Sequence, residues 1–129
     1  MKKILILGHT GFVGKELSKR FKNKKIIFDC YSKKQIIYEG KIQKKTDQFL
    51  KKLIFKNDII INCVGENTDL KYMYSRNYNF VKKILNFIEK SKKKKYLIHL
   101  SSCAVYGKYF HFNKYIIDEN TDPFPISKY

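Results

Sequence analysis

The sequence predicts an α/β domain built on an open, doubly wound parallel sheet with strand order 3-2-1-4-5. Three observations carry that prediction. Short apolar runs alternate with longer amphipathic stretches along the chain, the pattern of successive βαβ units. The first apolar run passes directly into a glycine-rich turn that opens a helix. Groups able to do chemistry follow strands, which in such a sheet places them beyond the carboxyl ends, at the switch between strands one and four.

Each element has its own signal. Ile4–Leu7 is a continuous aliphatic run suited to a strand buried on both faces. A helix follows from about Phe12 to Lys22, with Val13, Leu17 and Phe21 at i, i+4, i+8. Ile26–Cys30 forms the second strand, and Gln35–Tyr38 a weaker third strand closed by Glu39 and Gly40. Thr46 is placed to cap a helix through about Lys52, with Phe49, Leu50 and Leu53 turned inward. Asp58–Val64 is the most strand-like segment. A long helix covers roughly Tyr72 to Lys90 with a stripe of Val81, Ile84, Leu85 and Ile88, and Lys92–Lys95 sit at its end, where cations suit the helix dipole. Tyr96–Leu100 is the fifth strand, and the irregular remainder holds both prolines, Pro123 and Pro125.

Composition bounds the function. The 129 residues make a single domain, and 43% hydrophobic with 16% aromatic content excludes a disordered class. The formal charge is +17, but only Arg20 and Arg76 among 28 basic residues are arginine. Base readout favours arginine, so no specific nucleic-acid partner is expected; solvated lysines with weak polyanion binding as a by-product are. No apolar run reaches the length of a membrane span, and Ile4–Leu7 is too short for a signal-peptide core, so a cytoplasmic location is expected. Cys30, Cys63 and Cys103 are odd in number and widely spaced, and His9, His99 and His111 lack ligand spacing. A reducing compartment and no metal site are expected.

Gly8, Gly11 and Gly14 form Gly-x-x-Gly-x-x-Gly between strand and helix. They allow a tight turn, backbone approach to a pyrophosphate, and close helix–sheet packing, with the helix N-terminus facing the phosphates. Thr10, Phe12 and Val13 complete the cofactor-facing set. Asp29 follows Gly8 by 21 residues, at the predicted end of strand two. A carboxylate there accepts from the adenosine ribose hydroxyls and repels a 2′-phosphate, favouring NAD over NADP. Lys33 and Lys34 lie close enough to weaken that preference.

Taken with Asp-Ile-Ile-Ile-Asn-Cys-Val-Gly65, Asn77, Ser101-Ser-Cys-Ala-Val-Tyr-Gly107 and the ending Pro125-Ile-Ser-Lys-Tyr129, these pieces stand in family order across the chain. The chain resembles the extended short-chain dehydrogenase/reductase family, in its NAD-dependent epimerase/dehydratase branch acting on nucleotide sugars. The resemblance implies a Rossmann-type domain, residues 1–129, that binds NAD and belongs to an enzyme taking a nucleotide-sugar substrate. It implies that Ser102 hydrogen-bonds the reacting hydroxyl or carbonyl and that Tyr129 is the general acid/base. It places Val64 and Gly65 in the loop beside the cofactor, and makes Asn77, in preference to Asn79, the support of the active-site backbone.

Three departures from the family pattern stand out. Gly40 is followed by Lys41 where an acidic residue is common. A lysine four residues beyond Tyr129 is not in the sequence, and neither is the substrate-binding portion, so the sheet is expected to be incomplete at its C-terminal side. A second register would set Phe124-Pro-Ile-Ser-Lys128 on the tyrosine motif; matches at Glu119, Thr121, Pro123, Pro125 and Ser127 favour Tyr129. The fifth strand is then an edge with a poorly covered apolar side, where association, including a homodimer, is expected. The alternatives are a dinucleotide-binding module without catalysis and a truncated remnant without independent function.

Overall fold

The computed structural model describes residues 2–37, 43–111 and 116–126. Four parallel strands, β1 (Ile4–Leu7), β2 (Phe28–Tyr31), β3 (Ile59–Asn62) and β4 (Tyr96–His99), lie in the order β2-β1-β3-β4. The registers are continuous: Leu5 pairs with Asp29 on one side and Ile60 on the other, and Ile60 pairs with Leu97. The helices between them are α1 (Phe12–Asn23), α2 (Lys33–Ile36), α3 (Gln43–Lys56), α4 (Leu70–Tyr74) and α5 (Phe80–Lys90). A single π-turn, Ser75–Asn79, joins the last two, and a 3₁₀ segment, Cys103–His111, follows β4.

Strand alternation decides what each face buries. Leu5, Leu7, Ile60 and Val64 meet Ile36, Leu50, Leu53, Ile54, Phe80 and Ile84 in one contiguous core under α2, α3 and α5. Ile6 and Ile61 are buried on the opposite face. That face is open at β4, where Tyr96, Ile98 and Leu100 are exposed, Ile98 at 51%. Among the described residues β4 pairs only with β3, so it is the edge that the sequence reading expected.

Several expected elements are corrected. The segment predicted as a third strand begins as helix α2, because Gln35 Oε1 accepts from both the Ser32 N–H (2.8 Å) and its hydroxyl (2.9 Å), closing a turn, and Ile36 drops into the core. Only Ile37 is extended there; Tyr38, Glu39, Gly40 and Lys41 lie outside the described residues. Strand β2 starts at Phe28 rather than Ile26, since Lys25 adopts φ 55° and Ile27 is 70% exposed. Helix α3 runs past both expected ends, with Thr46 inside it instead of capping it. The apolar stripe of the long helix sits on Phe80, Ile84, Phe87 and Ile88, while Leu85 is 50% exposed. Its cause is the π-turn, in which the Phe80 N–H reaches back to the Ser75 carbonyl and rotates the face that follows. Lys95 serves a different helix from the one expected. Its Nζ donates to the carbonyls of Phe55 (3.2 Å) and Asn57 (2.6 Å), at the end of α3.

Candidate functional site

The glycine loop after β1 is built by three backbone constraints. Gly8 leaves β1 with φ 85°, a conformation that side chains resist, and its N–H donates to the Tyr31 carbonyl at 2.7 Å. A Cβ on Gly8 would stand 3.0 Å from the backbone of Cys63 and Val64, so this loop abuts the loop after β3. A Cβ on Gly14 would lie 2.3 Å from the Gly8 carbonyl oxygen, which is why α1 packs so closely on the loop. Gly11 is different: an added Cβ would meet only the Gly8 oxygen, at 3.4 Å. The N-terminus of the 12-residue α1 has Gly11 at its cap, no side-chain capping bond and no acidic residue in its first turn. Open space over Gly11 with uncapped N–H groups behind it fits the pyrophosphate of a dinucleotide. Thr10, Phe12 and Val13 are exposed around it, Phe12 at 96%.

The loop after β3 is pinned from two sides. Asn62, fully buried at the strand end, accepts the Val64 N–H on Oδ1 (3.1 Å) and directs Nδ2 to His99 Nδ1 (3.1 Å). With Oδ1 occupied as an acceptor, the amide is the donor to His99, whose Nδ1 is therefore unprotonated. Burial pushes the His99 pKa down. Asn77, in the π-turn, accepts the Glu66 N–H and donates to the Glu66 carbonyl, both at 2.8 Å. Asn79 is exposed. The Glu66 carboxylate accepts from the Thr68 hydroxyl (2.8 Å) and N–H (3.2 Å), from the Asp69 N–H (3.3 Å) and from Arg76, and its pKa is lowered to about 2. Arg76 stacks over Tyr72 at 4.3 Å.

Ser102 follows β4 and is half-buried. Its Oγ accepts the Ala104 N–H (3.1 Å), leaving the hydroxyl hydrogen available to an outside acceptor. A cleft of about 180 Å³ separates it from the β3 loop and is lined by Val64, Gly65, Asn77, His99, Ser102 and Val105 among others. The structure thus brings Gly8, Gly11, Gly14, Val64, Gly65, Asn77 and Ser102 to the carboxyl ends of the strands. Tyr129 lies outside the described residues.

Asp29 is not with them. It pairs with Leu5 two residues before the strand end, and its carboxylate binds Lys56 Nζ (2.9 Å) and Asn57 Nδ2 (3.3 Å) at the far end of α3. The Lys56 contact, ahead of a smaller opposing effect of burial, lowers its pKa. Strand β2 runs on to Tyr31, two residues past Asp29, and Ser32 is the first residue beyond it. Sequence reasoning also missed Asn62 and His99, although a lone polar residue in each apolar strand was a usable signal. The Glu66–Arg76 pair left no such trace.

A parallel sheet with a glycine turn after its first strand and an uncapped helix behind that turn defines a Rossmann-like α/β fold. The chain belongs to the NAD dependent epimerase/dehydratase family, whose sequence model matches residues 4–129. Among solved structures it is similar to MoeE5 in complex with UDP-glucose and NAD, with TM-score 0.70 and 13% identity over 97% of this chain and 43% of that one. It is similar to UDP-N-acetylglucosamine 4-epimerase from Bacillus cereus, with TM-score 0.66 and 16% identity over 98% of this chain and 48% of the other. A short-chain dehydrogenase/reductase superfamily protein from Agrobacterium tumefaciens with bound NAD gives TM-score 0.72 and 14% identity over 97% of this chain and 40% of that chain. The chain therefore spans less than half the length of these neighbours. No curated protein matches it.

Proposed function

We propose that this chain is the cofactor-binding part of an enzyme that oxidises a sugar carbon of a nucleotide sugar, as an epimerase, dehydratase or reductase does. A nicotinamide dinucleotide, when bound, supplies the hydride acceptor. The chain's own residues do the rest. The Gly8–Gly14 turn and the N-terminus of α1 hold the pyrophosphate, and the Val64–Gly65 loop, fixed by Asn77 and Asn62, borders the cofactor. Ser102 donates its hydroxyl hydrogen to the reacting oxygen, and Tyr129 takes the substrate's hydroxyl proton as the carbon loses hydride. A carbonyl forms where the alcohol was. Whether the hydride returns to the other face of that carbon, returns to a different carbon, or leaves with the product distinguishes the three reactions.

The observation that carries this reading is the shared cleft between Ser102 and the Asn77-pinned loop, beside a glycine turn open over Gly11. The test is turnover of UDP-sugars by the full-length protein, followed by product analysis. Ser102→Ala and Tyr129→Phe should each lower kcat about a hundredfold or more with the fold intact. Unchanged turnover in both variants rejects the catalytic roles and leaves a dinucleotide-binding module without catalysis.

A further inference from the structure

The four strands are parallel, so all of them begin at one end of the sheet, and lysines precede each one. Lys2 and Lys3 stand before β1, Lys24 and Lys25 before β2, Lys56 before β3, and Lys92–Lys95 before β4. All but Lys95 are exposed. They are neighbours in space as well as in pattern. Lys2 Nζ lies 4.4 Å and Lys94 Nζ 5.6 Å from the centre of the Tyr96 ring, which joins the start of β1 to that of β4. Lys95 Nζ reaches the carbonyls of Phe55 and Asn57, on either side of Lys56.

Helix dipoles account for only part of this. A cation at a helix C-terminus is ordinary, but Lys2 and Lys3 follow no helix, and the run before β4 exceeds what one helix end needs. The opposing charge is small. Among the described residues it comes from Asp29, held by Lys56 at 2.9 Å, from Asp58, which accepts the Lys3 N–H at 2.9 Å, and from Glu89, next to Lys90 in α5. The C-termini of α1, α3 and α5 add about half a negative charge each. A broad positive excess is left, at the end of the strands away from Ser102 and the glycine turn.

We propose that this end of the sheet docks on an anionic bilayer surface, with its lysines over the lipid headgroups and Ile27 and Tyr96 at the headgroup level. The lysines are spread across four strand starts, about 14 Å at ~4.8 Å per strand, which suits a flat and diffuse surface of charge. Ile27 is 70% exposed and Tyr96 45%, an apolar side chain and an amphipathic ring among cations. That is the composition of a contact at a membrane interface. A nucleic-acid strand fits less well. Base readout uses arginine forks and base stacking uses bare aromatic faces, whereas here the cations are lysines and the Tyr96 ring already carries two of them. Docked this way, the cleft beside Ser102 faces solvent, one strand length (about 13 Å) further out. The docking is independent of the catalytic reading above. The chain's +17 charge favours any polyanion, so the test must separate local from bulk attraction.

The full-length protein is sedimented at ~150 mM salt with vesicles of phosphatidylcholine alone, or with about 30% phosphatidylserine added. It should bind the anionic vesicles about tenfold tighter or more, and leave them as salt rises to ~0.5 M. Lys92→Gln/Lys93→Gln/Lys94→Gln and, separately, Lys2→Gln/Lys3→Gln/Lys24→Gln should each weaken that binding about tenfold or more, at up to about fivefold per lysine. Melting curves establish which variants are folded, and either triple variant suffices. Lys92→Arg/Lys93→Arg/Lys94→Arg should bind like the parent, because a lipid surface reads charge and not shape. Lys34→Gln/Lys71→Gln/Lys82→Gln removes as much charge from exposed positions near the opposite end and should bind nearly as well as the parent. Equal binding of the parent to both kinds of vesicle overturns the proposal. So does an equal loss in the variant at the opposite end, which would trace the attraction to net charge alone. Tighter binding to a single-stranded oligonucleotide than to the anionic vesicles also overturns it, and would assign the lysines to nucleic acid.

Discussion

The side-chain amide of Asn77 grips the backbone of Glu66 at both of its polar groups, accepting its N–H and donating to its carbonyl, each at 2.8 Å. An asparagine in a helix is ordinarily a weak choice. Here it stands in a π-turn, where the widened backbone carries it over the loop while Phe80 and Ile84 stay in the core. Asn77→Ala leaves two backbone groups unsatisfied and should destabilise the fold by about 1–3 kcal/mol. Dinucleotide affinity should fall with it, because Val64 and Gly65 lose their support. Asn77→Asp keeps the acceptor and loses the donor, so it should fall between parent and alanine in thermal unfolding. Alanine and aspartate variants unfolding alike would count against the two-bond grip.

The glycine turn separates packing from binding. At Gly14 an alanine gains about 1 kcal/mol of helix propensity. Against that, its Cβ would press to 2.3 Å on the Gly8 carbonyl oxygen, which is backbone and cannot swing away. Overpacking of this kind costs about 1–3 kcal/mol, so Gly14→Ala should lower the melting temperature despite the better helix former. Gly11→Ala meets only an ordinary contact at 3.4 Å and should melt like the parent. Its methyl group enters the open space that the proposed function gives to the pyrophosphate, so dinucleotide binding should weaken. Melting curves together with nucleotide titration of both variants distinguish the two roles; a stable Gly14→Ala protein would refute the packing argument.

His99 gives the stability a pH dependence near neutrality. Its Nδ1 accepts from Asn62, and burial holds its pKa below the ordinary 6.5. A proton on Nδ1 would face the Asn62 N–H donor. Because the unfolded chain takes up this proton at higher pH than the folded one, the contribution of His99 is complete above about pH 6.5. It is lost as pH falls through the depressed folded value. His99→Gln, with a neutral acceptor, should flatten that part of the curve. The comparison is denaturant unfolding between about pH 7.5 and 5; parallel curves would show that His99 does not titrate against Asn62.

Much of this arrangement was legible in the sequence, for a physical reason. The glycine turn, the Asn-Cys-Val-Gly loop and Ser101-Ser102 are local patterns whose chemistry is tied to the strand directly before them, so placing the strand places the group. Asp29 failed because its position depends on where β2 begins, and a lysine at positive φ, Lys25, takes up the slack that an apolar run seemed to assign to the strand. The predicted third strand failed likewise: Ile36 and Ile37 fit strand and helix equally, and the Ser32–Gln35 turn decided between them. Glu66 and Arg76, ten residues apart, meet only because the π-turn exists, and a π-turn has no clear sequence signal.

The Glu66 carboxylate supplies the last prediction. The Thr68 hydroxyl and N–H, the Asp69 N–H and Arg76 hold its pKa at about 2, against 4.5 for an ordinary glutamate. A carboxyl depressed in the folded state contributes stability that is complete above the unfolded value, and it loses that stability as pH falls towards the folded one. Glu66→Gln keeps a side-chain oxygen for Thr68 but leaves Arg76, which is buried, facing a neutral group. The variant should therefore be less stable than the parent at neutral pH. The gap should close between about pH 4.5 and 2 as the parent's carboxylate takes up its proton. Asp29, Asp58 and Asp118, also depressed, titrate in both proteins and drop out of the difference. A gap that stays constant across that range would mean that Glu66 acts through shape alone and not through its charge.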